Sequence, residues 1–370
     1  MTTHALSAVV MAHPRRADLA EQLAARLGRG ATVVYDPEPD APPGPLRAAA
    51  RAWTRCVPAA THHLVVQDDV EPCARAWELA DRAVARFPDC ALALYANSTS
   101  DNGGAGRVVL LAGHTWLTPI RHEYVPTVAL IMPCQVAHEF GEWASERTAA
   151  LRDDDQALKQ FLLQRRYPVR LRVPSLVEHC SLPSLAGNDR QGVRRSVCFQ
   201  AAHPVPDLES HVDTPPAWPQ FYQRCAFLRV NSDQEAEPRT LSGDQLAGYL
   251  GTSRGLLRLI AKKAFPVPVL SDGWSVAGLR FVRELSVGSF CLGWLLAQRG
   301  TDPQRLARRT PIHDAVMRSF IESALGDDET IRQWAGGLAG LLDGCWVALR
   351  EGMRRARGRP TVVQHTTAGR

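Results

Sequence analysis

Short apolar segments alternate with amphipathic ones through the first third of the chain, and this alternation limits the possible folds more than any other feature. Residues 6 to 12 (LSAVVMA), 31 to 35 (ATVVY) and 62 to 67 (HHLVVQ) have the length and apolar character of buried strands. Between the first two, Asp18 to Leu27 repeats apolar residues at helical spacing until Gly28 and Gly30 end it. A Pro-rich loop at 37 to 45 is followed by an Ala/Arg helix through Trp53. Strand, helix, strand, helix, strand at this spacing predicts a parallel sheet covered by helices. The pattern goes on with a helix at 74 to 86, strands near 91 to 95, 107 to 112 and 125 to 132, and a helix from Asp154 to Arg165. The acidic start of that last helix complements its dipole. A short strand at 169 to 173 then meets Pro174. The expected fold class is α/β, with a Rossmann-like, mostly parallel sheet carrying helices on both faces and a mainly α-helical C-terminal region after it.

The length, 370 residues with 45% hydrophobic content, is enough for two or three domains. Residues 201 to 239 are rich in Pro, Asp, Glu and Ser with weak periodicity, and read as a linker or an irregular wrap around a first domain ending near 200. Residues 240 to 370 hold 18 Arg/Lys against 11 Asp/Glu, a balance of +7, while the first 239 hold 25 against 27, a balance of −2. A basic C-terminal region is what an anionic partner favours, although an excess of Arg is often only a solvated surface. Nine cysteines lack any CxxC pair or zinc-finger spacing, and free, mostly buried thiols are expected. No charged leader with an apolar core opens the sequence, and the longest apolar stretch, around Leu285 to Ala297, is broken by Ser and Gly. These features predict a soluble cytoplasmic protein with no membrane association.

Asp68 and Asp69 are the most informative residues. They follow the apolar strand directly and precede Pro72. Ligands of open α/β sheets sit beyond the carboxyl ends of strands, so paired carboxylates there face the expected site. Hard oxygen ligands at that place suit Mg²⁺ or Mn²⁺ bridging a diphosphate; the plainer alternative is a solvated turn that caps the next helix. A second acidic cluster, Asp153 to Asp155, opens a later helix, and His179 follows Pro174 in SLVEH. Sugar transfer to a hydroxyl needs a base for the acceptor proton and a cation for the departing phosphate, and these elements supply both. Taken singly, an acidic helix start or a lone His is more often structural. Arg47 and Arg51, on the helix before the acidic strand end, are candidates for the diphosphate or for plain exposure. Gly103, Gly104 and Gly106 after the Asn/Ser/Thr run at 97 to 102 read as a loop that closes over a donor or as a simple flexible turn. Trp116 and Trp143 read as packing residues.

Residues 6 to 190 resemble GT-A glycosyltransferases, especially the small actinobacterial and phage type. The matching pieces are VVMAHPRR (9 to 16), TVVYD (32 to 36), ATHHLVVQDDV (60 to 70), DDDQALKQFL (153 to 162) and PSLVEH (174 to 179). The resemblance implies that Ala12, His13, Arg15 and Asp36 line the nucleotide pocket and that Gln67, Asp68 and Asp69 form the metal motif, with Gln67 and Asp68 beside the donor; Arg51 joins the donor-binding set by its place on the preceding helix. It implies Asp69 as the direct ligand of Mn²⁺ or Mg²⁺, His179 as the second protein ligand, and Asp154 or Asp155 as general base of an inverting reaction. Gln67 departs from the family, which usually carries Asp or Glu there, and lowers the local negative charge. The donor implied is a nucleotide sugar, a UDP-sugar first.

Beyond 240, LSGDQLAGYL reads as a short helix stopped by Gly251, and Thr252 or Ser253 caps a second helix through Ala264. This is a helix-turn-helix pattern, with Arg254, Arg258, Lys262 and Lys263 on the second helix. Residues 240 to 286 resemble excisionase-like or MerR-like winged helix-turn-helix modules, with SDGW as the wing and a third helix near 276 to 285. By that resemblance Ser253, Arg254, Arg258 and Lys262 contact double-stranded DNA; two ordinary packed helices are the alternative. Residues 287 to 358 read as a helical bundle tail able to join a second copy, and 359 to 370 as disordered. If both resemblances hold, a modified base in DNA is one acceptor that links them. The rival expectations are a nucleotidyltransferase and a non-catalytic DNA-binding protein with a degenerate sugar-nucleotide domain.

Overall fold

A computed structural model describes residues 4–180, 182–185, 187, 194–200, 210–231, 237–266 and 276–357. The chain divides into two compact units, Met1–Gly106 with His114–Asp213 and Arg107–Gly113 with Thr214–Arg370. In chain order the first contains β1 (Leu6–Ala12), α1 (Ala17–Leu27), β2 (Thr32–Tyr35), α2 (Pro45–Trp53), β3 (His62–Gln67), β4 (Val70–Pro72), α3 (Ala76–Arg86) and β5 (Ala91–Ala93). Then follow α4 (Asp101–Ala112), β6 (Trp116–Leu117), β7 (Ala129–Pro133), α5 (Cys134–Ser145), α6 (Asp154–Gln164), β8 (Val169–Arg172), β9 (Val177–His179) and β10 (His211–Val212). The second half of α4 belongs to the second unit.

Eight strands form one mixed sheet in the order β10-β6-β8-β5-β7-β3-β1-β2. The α/β expectation therefore holds, with a Rossmann-like half in which β2, β1 and β3 run parallel. The chain goes from β1 to β2 on one side and places β3 on the other, so the sheet's switch point lies between β1 and β3. Register sets Met11 opposite Gln67 and Ala12 opposite Tyr35, which brings three strand ends level. β7 runs antiparallel to β3, and the Gln67 amide donates to Val128 O at 3.0 Å, so the segment before β7 returns at the same edge. His62 and His63 on β3 are structural. His63 Nδ1 lies 2.7 Å from Ser7 Oγ and Nε2 lies 3.0 Å from Ala52 O, which satisfies both ring nitrogens of a buried imidazole.

Four expectations fail here. Residues 107 to 112 belong to helix α4 rather than to a strand, and the glycines at 103, 104 and 106 lie inside that helix, not in a mobile loop. Gly103 and Gly106 serve close approach: a Cβ on Gly103 would meet Asn97 O at 1.9 Å, and one on Gly106 would meet Val173 Cγ1 at 3.0 Å. The strand expected over 125 to 132 is shorter, Ala129–Pro133. Cys56 and Cys134 are joined in a disulfide with Cα atoms 5.9 Å apart, so two of the nine thiols are not free. Trp116 is fully buried, as a packing residue should be.

The second unit adds β11 (Ala217–Tyr222), β12 (Cys225–Val230), β13 (Arg239–Leu241), α7 (Gly243–Tyr249), α8 (Arg254–Ala264), α9 (Val276–Gln298), α10 (Pro303–Ala307), α11 (Pro311–Leu325), α12 (Asp328–Gln333) and α13 (Leu338–Ala356). Within the span read as a linker, β11 and β12 pair antiparallel and β13 joins them, while β10 extends the large sheet. These strands bury Trp218, Leu228 and Leu241, one apolar side chain from each. The third helix expected near 276 to 285 is the start of the 23-residue α9, which runs through position 286 without interruption. α9 packs against α13 so closely that a Cβ on Gly293 would lie 1.9 Å from Leu349 O, and one on Gly352 would lie 2.1 Å from Phe290 O. The expected wing, SDGW at 271 to 274, lies outside the described residues. Among the described residues no helix is long and apolar enough to cross a membrane.

Candidate active site

Three loops meet at the switch point. Beyond β1 the chain makes a single 3-10 turn, Pro14–Arg16, for which Pro14 presets the backbone and the His13 side chain accepts from the Arg15 amide. The His13 amide donates to Asp68 Oδ2 at 3.1 Å, across the crevice between β1 and β3. His13 Nε2 lies 3.2 Å from Pro39 O, which ties the same loop to the one after β2. The Asp36 amide bonds Ala12 O at 2.9 Å. Ala12, His13, Asp36, Gln67 and Asp68, expected together, are thus assembled at one edge.

Of the two arginines on α2, Arg51 takes the exposed alternative and Arg47 takes neither of its two. Arg47 does not reach toward a diphosphate; its Nε and Nη2 grip both oxygens of Asp36 at 3.1 and 2.9 Å in a planar fork. Arg51, one turn on, is exposed and shares no hydrogen bond with the site among the described residues, and Arg15 is exposed as well. The guanidinium inside the site is that of Arg16. Its Nη1 lies 2.9 Å from Asp68 Oδ1 and 2.8 Å from Asp69 Oδ2, and its Nη2 donates to Pro183 O at 2.5 Å. Arg16 and both carboxylates are largely removed from water, with side-chain exposures of 11%, 8% and 9%. Burial raises the Asp68 pKa, against the stabilising hydrogen bond from His13 and the charge of Arg16. Nothing in PRR distinguishes Arg15 from Arg16; the turn geometry does.

Asp69 and His179, 110 positions apart, come together through a two-stranded ladder. β4 pairs antiparallel with β9, with Val70 opposite His179, and the Cys180 amide bonds Asp69 O at 2.8 Å. His179 Nε2 stands 3.6 Å from Asp69 Oδ2. Burial lowers the pKa of this imidazole despite the pull of Asp69, which leaves it neutral near pH 7 with a lone pair to offer. Asp69 Oδ1 is buried and has no hydrogen-bond partner among the described residues. A buried carboxylate oxygen left unpaired is costly unless a further group satisfies it. An Asp oxygen and a neutral imidazole are ligands that Mn²⁺ or Mg²⁺ accepts. Among the described residues no three His, Cys, Asp or Glu side chains stand close enough to hold an ion by themselves. Such an ion would take its further ligands from phosphate oxygens and water, as these ions usually do in nucleotide sites. On this test the residues fit a divalent cation.

The acidic start of α6 reaches the same edge. Gln67 Nε2 donates to Thr127 Oγ1 at 3.3 Å, and Thr127 in turn bonds the Asp154 carboxylate. Gln67, Thr127 and Asp154 form a polar chain from the end of β3 to the first turn of α6. Asp154 is buried and held by that threonine and by the helix amides, which suits a structural role. Asp155 is only half-buried. Burial, reinforced by the Asp154 charge, pushes its carboxyl up to about 7. Thr127 was not legible as a site residue, since a single Thr in an apolar segment carries no signal of its own.

In the second unit α7 and α8 are joined by the short turn at Leu250 to Ser253. Ser253 caps α8, its Oγ accepting from the Leu256 amide at 3.2 Å, so that oxygen is committed to the helix. Leu257, Ile260, Ala261 and Ala264 form the buried face of α8. Arg254, Arg258, Lys262 and Lys263 lie on the exposed face; Arg254 sits 3.5 Å from the exposed Asp244. No family model and no curated protein matches the sequence.

Proposed function

We propose that the first unit is a metal-dependent glycosyltransferase of the GT-A kind, moving a sugar from a nucleotide-sugar donor, a UDP-sugar first, to a hydroxyl acceptor. The observation that carries this reading is the approach of Asp69 and His179 at the sheet's switch point, with Asp69 Oδ1 left unpaired. Asp69 and His179 would hold Mn²⁺ or Mg²⁺, which when bound offsets the charge developing on the departing diphosphate. The rest falls to the protein. Asp36, locked by Arg47, and the His13 loop shape the nucleotide end of the crevice. Asp155 takes the acceptor's proton: a carboxyl raised to about 7 is ionised in half of the molecules at neutral pH and is basic enough to accept a proton there. A cytoplasmic location is part of this proposal: seven of the nine cysteines are free thiols, which suits a reducing compartment, whereas the Cys56–Cys134 bridge is a bond that an oxidising one favours.

A nucleotidyltransferase would use the same carboxylates on an α-phosphate. Product analysis separates the two, because sugar transfer releases a nucleoside diphosphate and nucleotidyl transfer releases pyrophosphate. Incubation with UDP-sugars and Mn²⁺ should yield UDP with the wild-type chain and none with Asp69→Ala. Pyrophosphate, or equal UDP release from Asp69→Ala, would remove the proposal. The tail reading as a platform for a second copy gains nothing specific, as α9, α11 and α13 bury their apolar faces within their own unit.

The exposed basic face of α8 supports a second, separate reading, in which this unit holds duplex DNA, as a way of presenting an acceptor. Arg258→Ala and Lys262→Ala should each weaken duplex binding and lower its salt slope by about one. Binding that does not weaken as salt rises would remove the electrostatic argument.

A further inference from the structure

We infer that Arg16 is the resident counter-cation of the acidic pair and that it exchanges with the divalent ion, leaving Asp69 when the metal binds. The inference rests on the proposed metal site at Asp69 and His179. One guanidinium nitrogen lies within 2.9 Å of both Asp68 Oδ1 and Asp69 Oδ2. His179 Nε2 approaches that same Asp69 oxygen at 3.6 Å. The oxygen on which the two candidate ligands converge is therefore already taken by a positive charge.

Two like charges on one largely buried carboxylate repel strongly, because water screens them poorly there. Either the guanidinium yields or the ion binds weakly. Leaving Asp68 and Asp69 together with neither cation is also unfavourable, since two adjacent buried carboxylates oppose each other's ionisation. Arg16 solves that problem for the metal-free chain. It comes from the short turn after β1 rather than from the sheet, and its other nitrogen is anchored on Pro183 O at 2.5 Å. Its side chain can leave Asp69 without disturbing a strand. The exchange separates Arg16 from the ligands: it is a positioning residue whose removal strengthens metal binding, whereas removal of Asp69 or His179 weakens it.

The test is Mn²⁺ binding to the full chain without nucleotide, followed by the loss of the free-ion electron paramagnetic resonance signal. Wild type, Arg16→Gln, Arg16→Lys and Asp69→Asn are compared, with thermal melting of each in the presence and absence of Mn²⁺. Hydrogen bonds between charged groups are each worth about a factor of ten or more, so Arg16→Gln should bind Mn²⁺ at least about tenfold more tightly than wild type. It should also melt lower than wild type without the ion and gain more from adding it. Asp69→Asn should bind none. Equal or weaker binding by Arg16→Gln, with Asp69→Asn still inactive in binding, would overturn the exchange and leave the metal site standing. If no chain binds Mn²⁺ better than Asp69→Asn, the metal site falls and the exchange with it. Should Arg16→Gln fail to fold, Arg16→Lys, which loses the second nitrogen's anchor on Pro183 O, decides by the same criterion of tighter binding.

Discussion

Replacing Asp155 by Asn should stabilise the first unit and slow its proposed chemistry, and the stabilisation should depend on pH in a defined way. In the folded chain the Asp155 carboxyl is raised from 3.8 to about 7, first by burial and then by the neighbouring Asp154 charge. A group whose pKa is higher folded than unfolded contributes nothing adverse below about pH 4, where it is protonated in both states. Its cost appears as pH rises past the unfolded value and levels off above about 7, where it is ionised in both. Three units at about 1.36 kcal/mol each set an upper limit of about 4 kcal/mol. Asp155 keeps partial contact with water, which screens the charge, so about 2 kcal/mol is the better expectation. For a unit of this size that corresponds to a rise in Tm of about 4–8 °C at pH 8, shrinking to nothing near pH 4. Melting curves of wild type and Asp155→Asn between pH 4 and 8 measure this. Sugar transfer by the same variant should drop by about 10² or more, the usual worth of a general base, and the wild-type rate should rise with pH through about 7. A difference in Tm that does not grow with pH would refute the buried-carboxyl account, and full activity in the variant would refute the base.

Thiol counting under non-reducing, denaturing conditions should find seven reactive cysteines, and nine after reduction, if Cys56 and Cys134 are bridged as described. The bridge closes a loop of 78 residues, and on the chain-entropy model its loss through Cys134→Ser should cost about 4 kcal/mol in denaturant unfolding. Gly293→Ala places a Cβ 1.9 Å from a backbone oxygen of α13 and should destabilise the second unit by about 3 kcal/mol, while Gly248→Ala, with open space around it, should be neutral or slightly stabilising. Equal melting of both glycine variants would contradict the close α9–α13 crossing.

The strands that build the site were legible because β1, β2 and β3 are short apolar runs bounded by turn residues, and α1 and α6 keep a helical period between recognisable ends. The placement of acidic residues at the end of β3 then follows from chain order alone. Residues 107 to 112 were misread for a physical reason: a fully buried helix and a fully buried strand both present an unbroken apolar run, and periodicity cannot separate them. The glycines before them resembled a loop, although Gly103 and Gly106 serve a close backbone and a close side-chain contact. The strands at 217 to 241 were hidden by Pro219 and by polar residues on the exposed face of a small sheet. Within the site, the meeting of Asp69 with His179 depends on the β4–β9 pairing, a long-range contact that family resemblance anticipated but local pattern did not. Arg16 could not be told from Arg15, nor Asp155 from Asp154, because adjacent residues differ only in where the backbone aims them.

The most direct test of the central claim is a crystal structure of the full chain with Mn²⁺ and UDP, with the ion located by its anomalous scattering. The account predicts one Mn²⁺ peak at the switch point, bonded to an Asp69 carboxylate oxygen, His179 Nε2 and the diphosphate, with Arg16 withdrawn from Asp69. UDP bound with Arg16 still bridging Asp68 and Asp69 and no metal between Asp69 and His179, or an ion bound elsewhere, would contradict it.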